Sequence, residues 1–240
     1  MRSLTNNLAK IWVVDVSQLS GVDILRCEAA LVPAEIEQMR RFQFDLDRDA
    51  YRAAHGLARH ALSSFELDVA PQNWVFESTP YGRPEIATGY GFPPLRFNIS
   101  HTRGMVAVIV ARELDCGVDV ESVERFNCLE HLAANVLAPA ELASLLTVPD
   151  SERPLLFSRY WTLKEAYSKA LGLGMSMPFE RIAFELREGG ARLLNQAGDW
   201  VFEQWLASPN YMVATAFRSR QPLRLLRHWG FPEPIHSIDL

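Results

Sequence analysis

Apolar and polar positions along this chain follow two periods, and the switch from one to the other marks its elements. A β-branched and aromatic run at 11–16 predicts a strand. Pro33, followed by Ala-Glu-Ile-Glu-Gln-Met, opens a short helix with proline in its favoured first turn. Over 47–67, Tyr51, Ala54, Leu57, Ala58, Ala61, Leu62 and Phe65 recur at near-helical spacing. That spacing predicts a long helix, with Asp47 capping its first turn and Gly56 a mild cost within it. Prolines and glycines then punctuate 71–94, before strands at 95–99, 105–111 and 116–121. Helices are expected at 137–146 and 151–171, the latter ending at Gly172, and strands resume near Arg181, Val201 and Tyr211. The segment after about residue 220, with Trp229 and Phe231 among prolines, is given no element beyond packing.

The pattern also repeats. Leu31-Val-Pro-Ala-Glu-Ile-Glu-Gln-Met39 resembles Leu137-Ala-Pro-Ala-Glu-Leu-Ala-Ser-Leu145, 106 residues later, and the strand at 105–112 aligns at the same offset with 211–218. The expectation is an α+β fold of two similar α/β halves, 1–113 and 114–240, packed about a pseudo-two-fold axis as one compact unit. A small-molecule site is then expected in the crevice between them.

Composition narrows the function. The 240 residues are 48% hydrophobic and 22% charged, which suits a soluble globular protein. The apolar runs at 11–14 and 105–111 are far short of the roughly 18 to 20 residues of a membrane span. Asp15 interrupts the first of them, so no secretory signal is expected and the protein is placed in the cytoplasm. Cys27, Cys116 and Cys128 form no Cys-x-x-Cys pair and read as reduced structural thiols. A net charge of −5 argues against nucleic acid as a partner. An anionic ligand must meet a local basic patch, for which Arg40, Arg41, Arg48, Arg52 and Arg59 are candidates, although a solvated helix face explains the same run.

Several segments could carry chemistry. In Gly117-Val-Asp119-Val-Glu121 a strand puts both carboxylates on one face, where they suit a hard cation such as Mg²⁺; solvated surface is the competing account. In Trp161-Thr-Leu-Lys164-Glu165-Ala-Tyr-Ser-Lys169 a helix sets Glu165 and Lys169 one turn apart. They are either a surface ion pair, or a metal-binding carboxylate with lysines for phosphate oxygens. Phe97-Asn-Ile-Ser100-His101 is a polar turn after an apolar strand. Neighbours on an extended chain point to opposite faces, so Ser100 and His101 suit phosphate binding better than mutual proton transfer. Tyr81-Gly82-Arg83-Pro84 is an ordinary turn signal unless its backbone and Arg83 face a nucleotide.

Taken in order, these four motifs resemble the Sfp-type 4′-phosphopantetheinyl transferase family, over residues 81–169 and more weakly over most of the chain. The resemblance implies a monomeric, Mg²⁺-dependent transferase. It would move the phosphopantetheine arm of coenzyme A to a serine of an apo acyl or peptidyl carrier protein and release 3′,5′-ADP. It implies Asp119, Glu121 and Glu165 as Mg²⁺ ligands, with Asp119, Glu165 and Lys169 in catalysis; that Glu165 deprotonates the serine, directly or through a water, is a hypothesis from phosphoryl-transfer chemistry and leaves the base open. Lys164 and Lys169 would flank the pyrophosphate, and the Gly82-Arg83-Pro84 backbone would lie against adenine. Ser100, His101 and Arg52 would contact phosphates, assisted by Arg40 or Arg41. Arg83 stands where many relatives carry lysine. A non-catalytic coenzyme A or carrier-binding relative, and a different Mg²⁺ enzyme such as a phosphohydrolase, are the competing functions.

Overall fold

The computed structural model describes residues 7–126, 130–195 and 197–233; Cys128 lies outside them. The first half runs β1 (Leu8–Asp15), α1 (Gly21–Ala30), α2 (Pro33–Arg40), α3 (Asp45–Ser63), β2 (Phe76–Ser78), β3 (Pro84–Ile86), β4 (Leu95–Thr102) and β5 (Met105–Arg112). The second runs β6 (Cys116–Ser122), α4 (Glu130–Val136), α5 (Pro139–Thr147), α6 (Arg153–Leu171), β7 (Phe184–Arg187), β8 (Gly190–Leu193), β9 (Trp200–Ser208) and β10 (Tyr211–Arg218). A final strand, β11 (Arg224–Trp229), follows.

The two halves share a topology. β1 pairs antiparallel with β5, and β5 with β4; β6 pairs antiparallel with β10, and β10 with β9. Period-two alternation then sorts the side chains into layers. Trp12, Val14, Val106, Val108 and Val110 pack on Ala54, Leu57, Ala58, Ala61 and Leu62 of α3. Ala9, Ile11, Val13, Ala107 and Ile109 point the other way and meet Val118, Val120, Val213 and Phe217 of the second half. The remaining face of the second sheet, with Ala214, Ala216 and Phe202, packs on Leu163, Ala166 and Ala170 of α6. Burying each Val, Leu, Ile or Phe side chain stabilises the fold by about 1.5–3 kcal/mol, so the contact between the halves is core rather than a loose interface.

α3 begins two residues earlier than its apolar spacing indicates. Phe44 is its N-cap, so Asp47 lies inside the first turn beside Asp45 and favours the helix through charge rather than by capping. α1, which the spacing does not reveal, starts at a side-chain cap, where Ser20 Oγ accepts the Asp23 N–H at 3.1 Å. β11 gives the tail its element. It runs parallel to β1, Trp12 stacks on His228 with ring centroids 5.0 Å apart, and Arg26 donates to the Pro232 carbonyl at 2.7 Å. The end of the chain therefore straps the second half to the first.

Four arginines of the cluster, Arg41, Arg48, Arg52 and Arg59, are dispersed into local pairs. Arg59, 1% exposed, donates to both Glu35 oxygens at 3.1 and 3.0 Å and to the Trp74 carbonyl at 2.7 Å, tying α2 to α3. Burial alone would raise the Glu35 pKa, but hydrogen bonds from His55, Arg59 and the Val32 N–H outweigh it and bring it down from 4.5 to about 2. A depressed carboxylate pKa stabilises the fold above its unfolded value and loses that effect as pH falls through the folded value. Glu35 is therefore expected to contribute about 3 kcal/mol near neutrality, lost progressively below pH ~4.5. Glu35→Gln should flatten the stability profile between those two pH values, as read by urea denaturation; an unchanged slope would show that the tie contributes nothing. Cys27 and Cys116 are free and buried, and burial pushes both thiols up to about 12, as inert structural cysteines require.

Candidate active site

The site forms where β4, β6 and α6 cross. No backbone ladder joins β4 to β6, and side chains take its place. Asn98 Oδ1 accepts the Val118 N–H at 2.9 Å, and Ser100 Oγ accepts the Val120 N–H at 3.2 Å. Two edge N–H groups are thereby satisfied, and the register between the halves is set. Alternation turns Val118 and Val120 into the inter-sheet core and Asp119 and Glu121 toward α6. α6 can lie this close because residue 117 is glycine. A Cβ there would stand 2.1 Å from the Ala166 carbonyl oxygen and 2.6 Å from the Ala170 nitrogen, both backbone atoms.

Lys169 Nζ donates to Asp119 Oδ1 at 2.7 Å, to Ser100 Oγ at 2.8 Å and to the Val118 carbonyl at 3.2 Å. Ser100 in turn donates to Asp119 Oδ1 at 2.8 Å. Glu121 pairs with Arg125 through one oxygen. Asp119 Oδ2 and Glu121 Oε2 are buried without a hydrogen-bond partner. Such orphaned anionic oxygens are costly, and a cation or a water would satisfy them. Glu165, 8% exposed, has its pKa raised to about 7 by burial first and then by Asp119 and Glu121, against the pull of Lys169. Burial and then Asp119 also raise Glu121, opposed by Arg125 and a hydrogen bond from Thr102. Glu165 thus feels both neighbouring carboxylates, and Glu121 feels Asp119. Among the described residues no three such ligands close to metal-binding separation; Lys169 and Arg125 each neutralise one carboxylate oxygen. The donor set itself, hard oxygens with two of them unpartnered, fits Mg²⁺.

A cavity of about 210 Å³ adjoins this cluster, lined by Tyr81, Gly82, Arg83, Pro84, Asn98, Ile99, Lys169, Gly172 and Gly174. The fold therefore brings the 81–84 turn of the first half onto the face of α6 that carries Lys169. His101 follows on β4 with its side chain at the exposed rim. Crowding by protein atoms, then Lys169 and His55, holds its pKa below the usual histidine range, with Asp47 opposing.

Three of the residues singled out from sequence are placed otherwise. Lys164 lies in the core beneath the site. It is fully buried, paired with Glu141 Oε2 at 2.7 Å, and donates to the Phe179 carbonyl at 2.8 Å and to that of Ile182. With its ammonium fully engaged and its side chain 0% exposed, it is out of reach of a pyrophosphate, unlike the 24% exposed Lys169. Arg52 turns from the cleft toward α1, its guanidinium held by Glu28 at 2.8 Å and Asp49 at 2.7 Å. Arg83 lines the cavity with its backbone, but its side chain donates to the Lys169 and Ala170 carbonyls at 2.8 and 3.1 Å and to Glu85 at 2.5 Å. Arg41, the alternative to Arg40, pairs with Glu37 at 2.7 Å on the surface. Conversely, Asn98, Thr102, Gly117 and Arg125 take part in the site. Asn98 was within a noted motif, and Arg125 follows Glu121 at helical spacing; nothing in the sequence distinguishes either from a solvated polar residue.

The fold thus sets two similar α/β halves around one cluster, with buried carboxylates and a lysine beside a cavity. Residues 115–221 match the family model ACPS, described as the 4′-phosphopantetheinyl transferase superfamily. The chain is 28% identical over 214 residues to the 4′-phosphopantetheinyl transferase HetI of Nostoc sp., covering 89% of each. A putative 4′-phosphopantetheinyl transferase of Synechocystis sp. is 28% identical over 187 residues, 78% of this chain and 74% of that one. The human L-aminoadipate-semialdehyde dehydrogenase-phosphopantetheinyl transferase is 27% identical over 220 residues, 83% of this chain and 71% of that protein. Among solved structures, a holo-(acyl-carrier-protein) synthase from Bacillus anthracis in complex with CoA (3′,5′-ADP) superposes with TM-score 0.38 and 21% identity over 43% of this chain and 94% of that one. Residues 115–221 thus carry the match to the 4′-phosphopantetheinyl transferase superfamily, and the relatives that extend it over most of the chain are 27–28% identical.

Proposed function

We propose that this protein transfers the 4′-phosphopantetheine arm of coenzyme A to a serine hydroxyl of an apo acyl or peptidyl carrier protein, releasing 3′,5′-ADP, with Mg²⁺ required. The observation that carries the reading is the convergence of Asp119, Glu121, Glu165 and Lys169 beside the cavity walled by the 81–84 turn. The crevice between the halves, 1–113 and 114–240, is its seat. Asp119, Glu121 and Glu165 would hold the Mg²⁺, which when bound neutralises charge on the pyrophosphate.

The chain's own groups account for the rest. Lys169, its side chain 24% exposed, presents an ammonium where charge on the transferring phosphoryl group needs stabilising. Glu165, with a pKa near 7, takes the serine proton at a carboxylate oxygen, directly or through one water. The serine oxygen–phosphorus bond forms as the phosphorus–oxygen bond to 3′,5′-ADP breaks. Ser100 holds Lys169 and Asp119 in register, and His101 at the rim offers a ring nitrogen to a ligand phosphate. The proposed enzyme is a cytoplasmic monomer with a protein partner; its net charge of −5 argues against nucleic acid as that partner.

Intact-mass spectrometry of an apo carrier incubated with this protein, coenzyme A and Mg²⁺ tests the proposal. The expected result is a mass gain of one phosphopantetheine arm, abolished by EDTA. Hydrolysed coenzyme A with an unmodified carrier would point instead to a phosphohydrolase. Coenzyme A binding with neither product would point to a non-catalytic module.

A further inference from the structure

We infer that Arg83 is a positioning residue, which fixes the last turn of α6 so that Lys169 reaches Asp119, rather than a ligand-binding cation. The last carbonyls of a helix have no partner within it, and a guanidinium supplies several donors in a fixed plane. Arg83 Nη1 takes both the Lys169 and Ala170 carbonyls, while Nη2 is anchored on Glu85, which Arg96 also pairs at 3.3 Å. The guanidinium covers Gly172, the left-handed residue at φ 71° that ends α6; a Cβ there would meet Arg83 Nη1 at 3.7 Å. The rest of the helix end is closed by the Gly172 and Leu173 N–H groups, bonded to the Lys169 and Ser168 carbonyls.

At its other end, Arg83 belongs to a closed turn. Thr79 Oγ1 accepts the Arg83 N–H at 3.1 Å, and the Thr79 N–H donates to the Arg83 carbonyl at 2.9 Å. That turn walls the cavity which Lys169 enters from the opposite half. One residue thus links the surface a ligand would touch to the backbone of the lysine on Asp119. A single ammonium could bond the two carbonyls or Glu85 but lacks the fork that holds both at once.

The inference rests on the proposed transfer for its kinetic readout, so two measurements are paired. In the transfer assay, Arg83→Met is expected to lower kcat about 10- to 100-fold, with the KM for coenzyme A moving within about threefold. In a Lys169→Met background the same change should cost less than about twofold, because the two residues act as a unit. Arg83→Lys should restore part of the rate. A raised KM at unchanged kcat would make Arg83 a ligand contact and overturn the inference, as would independent, multiplicative effects with Lys169→Met. Hydrogen exchange provides the second readout without any substrate: Arg83→Met should speed exchange of the Gly172 and Leu173 amides, and unchanged protection there would also overturn it. A wild-type protein that transfers nothing refutes the proposed reaction, while the exchange result still decides the role of Arg83. If Arg83→Met does not fold, Arg83→Gln, which keeps one amide donor for the helix end, takes its place with the same expected split.

Discussion

Asp119→Asn is expected to reduce carrier modification by about 10²–10³-fold while leaving the protein folded. The substitution is nearly isosteric. Its amide oxygen can still accept from Ser100 Oγ and Lys169 Nζ, which reach Asp119 Oδ1 at 2.8 and 2.7 Å. What disappears is the negative charge and the unpartnered second oxygen. Both belong to the proposed cation-binding set, and neither is part of the apolar core. That charge is attracted by Lys169 and repelled by Glu121 and Glu165, so its removal takes away terms of both signs. With both hydrogen bonds kept, thermal denaturation should show a midpoint close to that of the native protein. Near-native transfer by this variant would remove Asp119 from the machinery, and a collapsed fold would show that its charge is structural.

Lys164→Met is expected to do the reverse: destabilise the fold by about 3–5 kcal/mol, with coenzyme A KM unchanged in the protein that remains folded. Lys164 and Glu141 are both essentially inaccessible, at 0% and 1%. Burial pushes the ammonium below its ordinary range, against the pull of Glu141, and the pair persists because each end is fully engaged. Glu141 also accepts the Ala138 N–H and the Phe184 N–H, both at 2.8 Å, so it joins the start of α5 to the start of β7. Methionine fills the volume of lysine but leaves Glu141 charged and the Phe179 and Ile182 carbonyls without their donor. A fall in melting temperature on the order of 10 °C should be measurable by calorimetry. An unshifted melting curve with a raised KM would return Lys164 to the ligand, where its position beside Glu165 in sequence first suggests it.

The sequence alone determined the elements whose side chains repeat with the backbone. Alternating valines fixed β5 and β6, and Asp119 and Glu121 two residues apart had to share a face once β6 formed. The 106-residue offset marked a duplicated topology because each half solves the same packing problem, one helix laid on one small sheet. The tertiary structure decided everything that depends on which groups meet across the halves. A lysine or arginine has the same composition whether its charge meets a ligand, a carboxylate or a helix end. Lys164, Arg52 and Arg83 could be distinguished only by their neighbours: Glu141, Glu28 and the end of α6. Asn98 became part of the site only because β4 and β6 meet without a ladder, and β11 formed because β1 offered a free edge. Periodicity is a property of one segment and is written in it; pairing is a property of two, and only the packed chain brings them together.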